Sequence, residues 1–394
     1  MLQYFKDHQS PFPNKSYFYR MQFKDVVGQD STKQRLIQAV AEDRIPHAQL
    51  LVGPQGNGKL ALALAFAQYI NCPDKHDNDS CGVCSSCRKY AKLIHPDLHF
   101  TIPVIKTAAI DKPTSSDYMI KWRKYFEENP YPQYEKWMQI IADENKQGSI
   151  YVDEAKDLIH KLNQKSYEAE YKVSIIWLPE TMNINCANKI LKILEEPPTK
   201  TIFILISEAE QKLLSTIRSR CQLIRIPKIS DIDLQVAITG LAESTNTNPV
   251  TIARLARGNY FMAMEIMQND ELRSYNLRQF TSIMRNGYGR KLQEILTWSE
   301  EIAGIGRVRQ MGFLKYCGEF LRENFLFNLK EPDLIYMDEP ETDFSKKFAP
   351  FINERNVIYL FREFEKAYAD VSMNGNAKLI FTDLGLKVSK LIRL

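Results

Sequence analysis

The chain lacks the sequence features of membrane and secreted proteins. No apolar run approaches the roughly 20 residues that a transmembrane helix needs, and the first 20 residues are polar and aromatic, without the apolar centre of a secretory signal. The seven cysteines among 394 residues fit the cytoplasm. We therefore expect a cytoplasmic protein with no membrane contact, in which residues 1–20 are an extension, either disordered or a misassigned start.

A strong charge of either sign is also missing. The 52 basic and 48 acidic residues leave a net charge of +4, which is too slight and too dispersed to indicate direct binding to nucleic acid. Hydrophobic residues make up 44% of the chain and charged residues 25%, as in ordinary globular proteins. A chain of this length predicts two or three domains, each with a core of its own.

A phosphate-binding loop that lacks its metal ligand is present at residues 53–60. It follows an apolar run and opens a helical pattern, the arrangement in which backbone N–H groups and a helix N-terminus hold phosphates. The Ser or Thr whose hydroxyl ligates Mg²⁺ is replaced by Leu60. We expect ATP or ADP to bind weakly or not at all. The candidate nucleotide ligands are Gly53, Gly56, Asn57, Gly58 and Lys59.

Lys59 itself has two interpretations. It is either a phosphate ligand in a resting nucleotide site or a solvated residue in a loop that is retained for packing. The backbone of the loop suits the first interpretation, whereas the loss of the magnesium ligand suits the second.

The strand that supplies acidic residues in a P-loop ATPase has lost them here. Such a strand ends in a carboxylate for Mg²⁺ and a neighbouring Glu that activates water. In the matching strand, Trp177 and Leu178 occupy these two places. Glu180 is a carboxylate, but it lies beyond a proline and points in a different direction. We therefore expect no hydrolysis of ATP by this chain.

Four of the cysteines fall in one window with the spacing C-x8-C-x2-C-x2-C. Two overlapping C-x2-C steps and a fourth thiolate suit a tetrahedral zinc ion. A redox pair and a disulfide framework are the alternatives, and the expected compartment favours structural zinc. The predicted zinc ligands are Cys72, Cys81, Cys84 and Cys87, and the remaining cysteines, Cys186, Cys221 and Cys317, are predicted to serve packing.

Strands and helices alternate between the loop and about residue 227, which predicts a parallel sheet with helices on both faces. Residues 102–148, rich in proline and aromatic side chains, are interpreted as an insertion with some helix, packed on the surface. Three short helices are predicted over residues 231–270 and long helices over 271–394. The predicted strands after the loop are residues 150–152, 172–178 and 201–206.

Several further motifs occur in a fixed order over residues 21–230. Together with the phosphate loop and the four cysteines, they resemble the bacterial replicative clamp-loader subunits, most closely the delta-prime group of DNA polymerase III. Residues beyond 230 match that family in helical character only. The motifs are Val26-Val27-Gly28-Gln29, Pro46-His47-Ala48, His95-Pro96-Asp97, Leu194-Glu195-Glu196-Pro197-Pro198 and Ser219-Arg220-Cys221.

The resemblance implies an architecture. Residues 21–230 would form an AAA+ P-loop module, which includes a zinc module at 72–87 and the insertion at 102–148. A small helical lid would follow at 231–270. Residues 271–394 would form an all-α collar that joins the subunits in a ring.

The resemblance also implies a role in a hetero-oligomer. The chain would be a non-hydrolysing subunit that works with gamma/tau-like ATPase and delta-like subunits to load the sliding clamp on primed DNA. Arg220 would be an arginine finger given to a neighbouring ATPase subunit, with Arg218 as a second candidate. The family places a nucleotide-sensing arginine after a glycine of the lid, whereas Arg257 precedes Gly258 here.

Two other functions remain open at this point. The chain could be a divergent gamma/tau-like ATPase that hydrolyses ATP with a displaced carboxylate such as Glu180. It could also be a stand-alone AAA+ protein of DNA repair or recombination, since a helical collar can be reused.

Overall fold

The computed structural model describes residues 21–142, 147–245, 248–268, 270–329 and 335–394. The predicted extension at residues 1–20 lies outside the described residues. The chain forms two compact units, of which the first ends at Glu265 and the second begins at Ile266. Among the described residues, no helix is both long and apolar enough to cross a bilayer.

The first unit is built on a five-stranded parallel sheet with the order β2-β3-β4-β1-β5. β1, β3 and β4 are buried along their whole length, as expected of strands that helices cover on both faces. The predicted parallel α/β fold is therefore confirmed. The strands are β1 (Ala48–Val52), β2 (Leu98–Thr101), β3 (Lys172–Trp177), β4 (Thr201–Ser207) and β5 (Gln222–Arg225).

Eleven α-helices begin within the described part of the first unit, and α11 runs across its boundary. All twelve residues of α2 are buried, because its leucines and alanines let it pack closely on every side. The helices are α1 (Asp30–Ala41), α2 (Lys59–Ile70), α3 (Ser85–Ala91), α4 (Ser115–Glu128), α5 (Tyr134–Ile141), α6 (Val152–Asn163), α7 (Ile184–Glu195), α8 (Ser215–Arg218), α9 (Asp231–Thr245), α10 (Pro249–Ala256) and α11 (Tyr260–Gln268).

The prediction of a strand at residues 150–152 is wrong. Ile150 forms only an isolated bridge with Met182, and α6 already begins at Val152. The acidic residues Asp153 and Glu154 occupy the first turn of α6, where they favour the helix N-terminus. The sheet instead gains its two short edge strands, β2 and β5, neither of which was among the predicted strands.

The described part of residues 102–148 contains the predicted helix, but its predicted packing on the surface is wrong, and its being an insertion stays a prediction. Trp122 on α4 and Trp137 on α5 are fully buried, and their rings lie 5.1 Å apart in an edge-to-face contact. Trp122 also lies 4.9 Å from Trp177, at the end of β3. Large aromatic rings account for much of the area that such a segment buries, so its helices belong to the core of the first unit.

The regular secondary structure in the described part of the second unit is all helical. Phe280, Trp298, Phe313, Phe364 and Phe381 lie at the centre of its apolar core. The first unit contains both the sheet and α9–α10, so a lid separate from the sheet module remains a prediction. The helices of the second unit are α12 (Asp270–Tyr288), α13 (Leu292–Gly304), α14 (Arg307–Asn328), α15 (Glu339–Phe348), α16 (Val357–Ser372) and α17 (Ala377–Leu391).

Candidate functional site

The phosphate loop connects β1 to α2, as its sequence predicts. Gly56 and Gly58 have φ angles of +72° and +87°, a region that favours glycine, and Gly58 caps α2. The first N–H groups of a helix have no partner inside it, so those at the start of α2 face the loop. The backbone of an anion cradle is therefore present.

Lys59 directs its ammonium group into its own loop. The Nζ atom donates hydrogen bonds to the carbonyl oxygens of Gly53 at 2.8 Å and Pro54 at 2.6 Å, and to Oδ1 of Asn57 at 3.0 Å. These acceptors match the three donors of an ammonium group. Only 4% of Lys59 is exposed, so the interpretation of a solvated lysine is wrong. Burial lowers the pKa of Lys59 to about 8, against the opposing effect of Glu208 and Glu180.

Two carboxylates lie beside this lysine, after the ends of β3 and β4. Oε1 of Glu180 accepts hydrogen bonds from the backbone N–H groups of Glu208 at 2.8 Å and Ala209 at 3.2 Å. Burial raises the pKa of Glu208 to about 7, although Lys59 lowers it. Glu180 thus fixes the turn after β4, while its Oε2 makes no hydrogen bond to the described residues.

The apolar side chains at the positions of the expected catalytic acids are also buried in the structure. Trp177 and Leu178 are 2% and 3% exposed, and Trp177 packs against Trp122. Leu60, at the magnesium-ligand position, is 3% exposed. All three side chains are therefore buried, and none of them has an atom that could ligate a metal or accept a proton from water.

Two tyrosines that the sequence did not single out lie against the loop. The hydroxyl oxygen of Tyr131 accepts a hydrogen bond from the backbone N–H of Val27 at 3.0 Å, and its ring stacks on Tyr260 at 4.5 Å. The space beside Gly58 is so tight that a Cβ there would lie 2.9 Å from Tyr131. The only sequence signal for this contact was the high aromatic content of residues 102–148.

The four predicted zinc ligands converge. Their sulfur atoms all lie within 4.8 Å of one another, and those of Cys81 and Cys87 are 3.9 Å apart. Tetrahedral zinc with Zn–S bonds of about 2.3 Å requires sulfurs about 3.8 Å apart. A disulfide needs about 2.05 Å, so the geometry fits a metal better than the disulfide alternative.

Local hydrogen bonds prepare the sulfurs for a cation. The N–H groups of Cys81, Cys84 and Cys87 donate to the sulfurs of Cys72, Cys81 and Cys84 at 3.3, 3.3 and 3.4 Å. Burial and the neighbouring thiols raise the pKa of Cys87. Four thiolates this close repel one another unless a cation compensates them, so this donor set suits bound zinc.

The cysteine module is also tied to the N-terminal part of the described chain. The carboxylate of Asp79 accepts hydrogen bonds from the N–H groups of Phe23 at 3.0 Å and Lys24 at 3.1 Å. The amide of Gln68 on α2 donates to the hydroxyl of Ser80 at 2.8 Å. Loss of the module would therefore disturb α2 and the segment before α1.

Arg220 lies between α8 and β5 and is paired within the chain. Its Nε atom donates to Oε1 of Glu195 at 2.6 Å, and its Nη1 atom donates to the carbonyl oxygen of Thr216 at 2.8 Å. The side chain remains one-third exposed. Arg218 is more exposed, and its ion pair with Glu210 is long, at 3.9 Å. The role of Glu195, at the end of α7, was missed because 25 residues separate it from Arg220.

In the structure, as in the sequence, Arg257 does not occupy the position that the family uses for its nucleotide-sensing arginine. Arg257 ends α10 with a φ of +51°, and Gly258 beside it accepts a hydrogen bond from the N–H of Ile229 at 3.3 Å. The first turn of α11 begins with Tyr260 and Phe261 and has no arginine. Arg257 therefore lies before the helix on which the family places its sensor.

The sheet order, the phosphate loop after β1 and the helices that follow define a P-loop protein of the AAA+ class. A family model described as "DNA polymerase III, delta subunit" matches residues 28–230, just over half of the 394 residues. The chain belongs to that family.

Curated relatives agree with this assignment. Subunit delta' of DNA polymerase III from Pseudomonas aeruginosa is 32% identical over 175 residues, which are 44% of this chain and 41% of the relative. Subunit delta' from Escherichia coli is 26% identical over 242 residues, which are 60% of this chain and 59% of the relative. The chain thus spans about two-fifths to three-fifths of the length of these relatives.

Among solved structures, a DNA polymerase III gamma subunit-related protein from Thermotoga maritima is 14% identical. The match covers 92% of this chain and 99% of that one, with a TM-score of 0.39. A TM-score this low supports no conclusion about the function of this chain.

Proposed function

We propose that the chain is a delta-prime-like, non-hydrolysing subunit of the cytoplasmic DNA polymerase III clamp loader. The observation that carries the proposal is the apolar character of the hydrolytic centre, where Leu60, Trp177 and Leu178 are all buried. None of these side chains can ligate Mg²⁺ or accept a proton from water. Membership of the delta subunit family supplies the rest of the argument.

Arg220 is the group by which the chain takes part in catalysis under this proposal. Its guanidinium is partly exposed and already held by a carboxylate and a carbonyl oxygen, so its direction is fixed. An arginine finger supplied in trans accelerates phosphoryl transfer by about 10³–10⁵. The γ-phosphate of ATP on a neighbouring ATPase subunit would replace Glu195 as the partner of Arg220.

Zinc has a structural role in this proposal. Cys72, Cys81, Cys84 and Cys87 would hold it with all four positions filled by the chain, which leaves none for water or a substrate. The ion would fix the end of α2 to α3, because Cys72 follows α2 and Cys87 lies on α3.

The partners are the other subunits of the loader. They comprise gamma/tau-like ATPase subunits and a delta-like subunit, and the sliding clamp and primed DNA are reached through the complex. No direct contact of this chain with DNA is proposed, because its net charge of +4 is slight.

The test is DNA-stimulated ATP hydrolysis by the reconstituted loader with its clamp and primed DNA. Arg220→Ala should join the complex and lower turnover about 10³-fold or more at the site it serves. Arg218→Ala, which tests the second candidate, should retain turnover. Equal turnover with Arg220→Ala would exclude Arg220 as the finger, and failure of the wild-type chain to join would exclude the clamp-loader role and favour a stand-alone protein.

The gamma/tau-like ATPase is the second candidate function. It needs a carboxylate near the loop, and Glu180 has one unpartnered oxygen among the described residues. Its other oxygen is bonded to two backbone N–H groups, which hold Glu180 in a structural position. Magnesium-dependent hydrolysis by the isolated chain that disappears in Lys59→Ala would establish this alternative.

A further inference from the structure

We propose that residues 129–141 act as a built-in substitute for the nucleotide, with Tyr131 filling the space beside the phosphate loop and fastening α11 to it. In nucleotide-dependent proteins, a bound ligand commonly holds a closing element against its site. Here the chain itself makes that connection. This segment is called the strap below.

Tyr131 is the centre of the strap. It is 4% exposed and contacts three parts of the first unit, namely Val27 before α1, Gly58 in the loop and Tyr260 at the start of α11. A nucleotide with its phosphates at the start of α2 must place its ribose and base beside the loop. The ring of Tyr131 already occupies the space next to Gly58.

The loop and α11 also bond to each other directly. The N–H of Tyr260 donates to the carbonyl oxygen of Gly56 at 2.9 Å. A Cβ at Gly56 would overlap with the side chain of Asn259, whose Oδ1 in turn accepts a hydrogen bond from the N–H of Met262 at 3.0 Å. Gly56 therefore serves close contact within the chain, where a phosphate-binding loop would use it for contact with a ligand.

A second pair of contacts is made further along the strap, from the first turn of α5. Nε2 of Gln55 in the loop donates to Oε2 of Glu135 at 3.2 Å. The ammonium of Lys136 lies 3.3 Å from the carboxylate of Glu265 and 5.9 Å from the ring centre of Phe261, both on α11. Neighbouring residues of α5 thus bind the loop on one side and α11 on the other.

The strap is firmly anchored in the sheet module. The hydroxyl of Tyr125 and the backbone of Gln133 exchange two hydrogen bonds, at 2.8 and 3.1 Å. Trp137 is fully buried, and its indole N–H donates to the carbonyl oxygen of Pro103 at 2.7 Å. A nucleotide would have to displace an element that is packed and hydrogen-bonded on both sides of Tyr131.

Charge opposes a nucleotide as well. The negative charges of Glu208 and Glu180 act on the ammonium group of Lys59, since both raise its pKa against the effect of burial. A triphosphate would add negative charge beside them. The steric and electrostatic observations therefore agree.

The experiment is hydrogen–deuterium exchange of the isolated full chain, with and without ATP or ADP. In Tyr131→Ala, we expect the amide of Tyr260 to exchange about tenfold faster or more, because its bond to Gly56 is no longer held in place. Tyr131→Phe keeps the ring and should show a smaller rise. Neither nucleotide should change exchange in residues 53–60 of the wild-type chain.

Tyr167→Ala is the matched control, because Tyr167 is 81% exposed in the same unit. Residues 72–87 report whether a variant is still folded. If Tyr131→Ala also raises exchange there, Lys136→Ala replaces it and should raise exchange in residues 260–265 alone. Unchanged exchange of Tyr260 in the folded Tyr131→Ala chain would refute the strap, as would protection of residues 53–60 by ATP or ADP in the wild type.

The strap does not depend on the complex that the chain enters. The isolated chain is sufficient for its test, whereas the proposed function is tested in the reconstituted loader. Either proposal can therefore fail without the other.

Discussion

The phosphate loop and the cysteine module are both ligand-site motifs in the sequence, yet the structure gives them opposite character. Around the loop, the chain's own atoms supply the partners of Lys59 and fill the space beside Gly58. In the cysteine module, four sulfurs point toward one another within 4.8 Å. The comparison teaches that a motif predicts the geometry of its site reliably only when the motif itself contains all the contacts.

Loss of zinc from the cysteine module should have the largest effect on stability of the changes proposed for the two regions. Cys87→Ser should lose the bound metal and much of the stability of the first unit, because structural zinc contributes about 10–16 kcal/mol to the folding of small zinc domains. Metal analysis and thermal unfolding provide the measurements. Cys221→Ser is the control, since Cys221 lies outside the cluster and should leave the zinc content unchanged. A metal-free wild-type chain of equal stability would contradict the zinc site.

Lys59→Ala should have an intermediate effect. It should lower the free energy of unfolding even when no nucleotide is present. It leaves the carbonyl oxygens of Gly53 and Pro54 and the buried side chain of Asn57 without their donor, which costs about 1–3 kcal/mol. Urea unfolding with and without ATP measures it, and Lys212→Ala on the exposed surface is the control. If ATP stabilised the wild-type chain and this effect vanished in Lys59→Ala, the loop would be a ligand site after all.

The smallest effect concerns pH. Folding raises the pKa of Glu208 from 4.5 to about 7, so its contribution to stability is fully present below pH 4.5 and is lost as pH rises through about 7. Glu208→Gln removes this loss, and its stability relative to wild type should therefore increase as pH rises between those values. Equal pH profiles for the two chains would show that Glu208 is not buried beside Lys59.

Sequence patterns predicted the elements whose signal is local. β3 and β4 are runs of β-branched and apolar residues, and the observed bounds differ from the predicted ones by a single residue each. β2 was missed because an edge strand of four residues carries little periodicity. Residues 150–152 were misassigned because three apolar residues can begin a helix as readily as a strand.

The candidate site also has a part that local sequence signals predicted and a part that they did not. The cysteines lie within 16 residues of sequence, and their convergence follows from spacing alone. Tyr131 lies 104 residues from Val27, to which it is hydrogen-bonded, and more than 70 from the loop. No spacing rule connects such positions, so the filled space beside the loop could not be predicted. The roles of Arg220 and of the loop residues stay predictions.

The buried aromatic contact of Trp122 with Trp137 and Trp177 also makes intrinsic tryptophan fluorescence a measure of whether the first unit is folded. Three of the four tryptophans stand in this one cluster, with neighbouring rings about 5 Å apart, and the fourth, Trp298, lies alone in the second unit. Excitation energy passes readily between indoles at such separations, so emission from the cluster should be strongly depolarised until the first unit opens. A chain with Trp298→Phe would follow the sheet module alone, without an added dye.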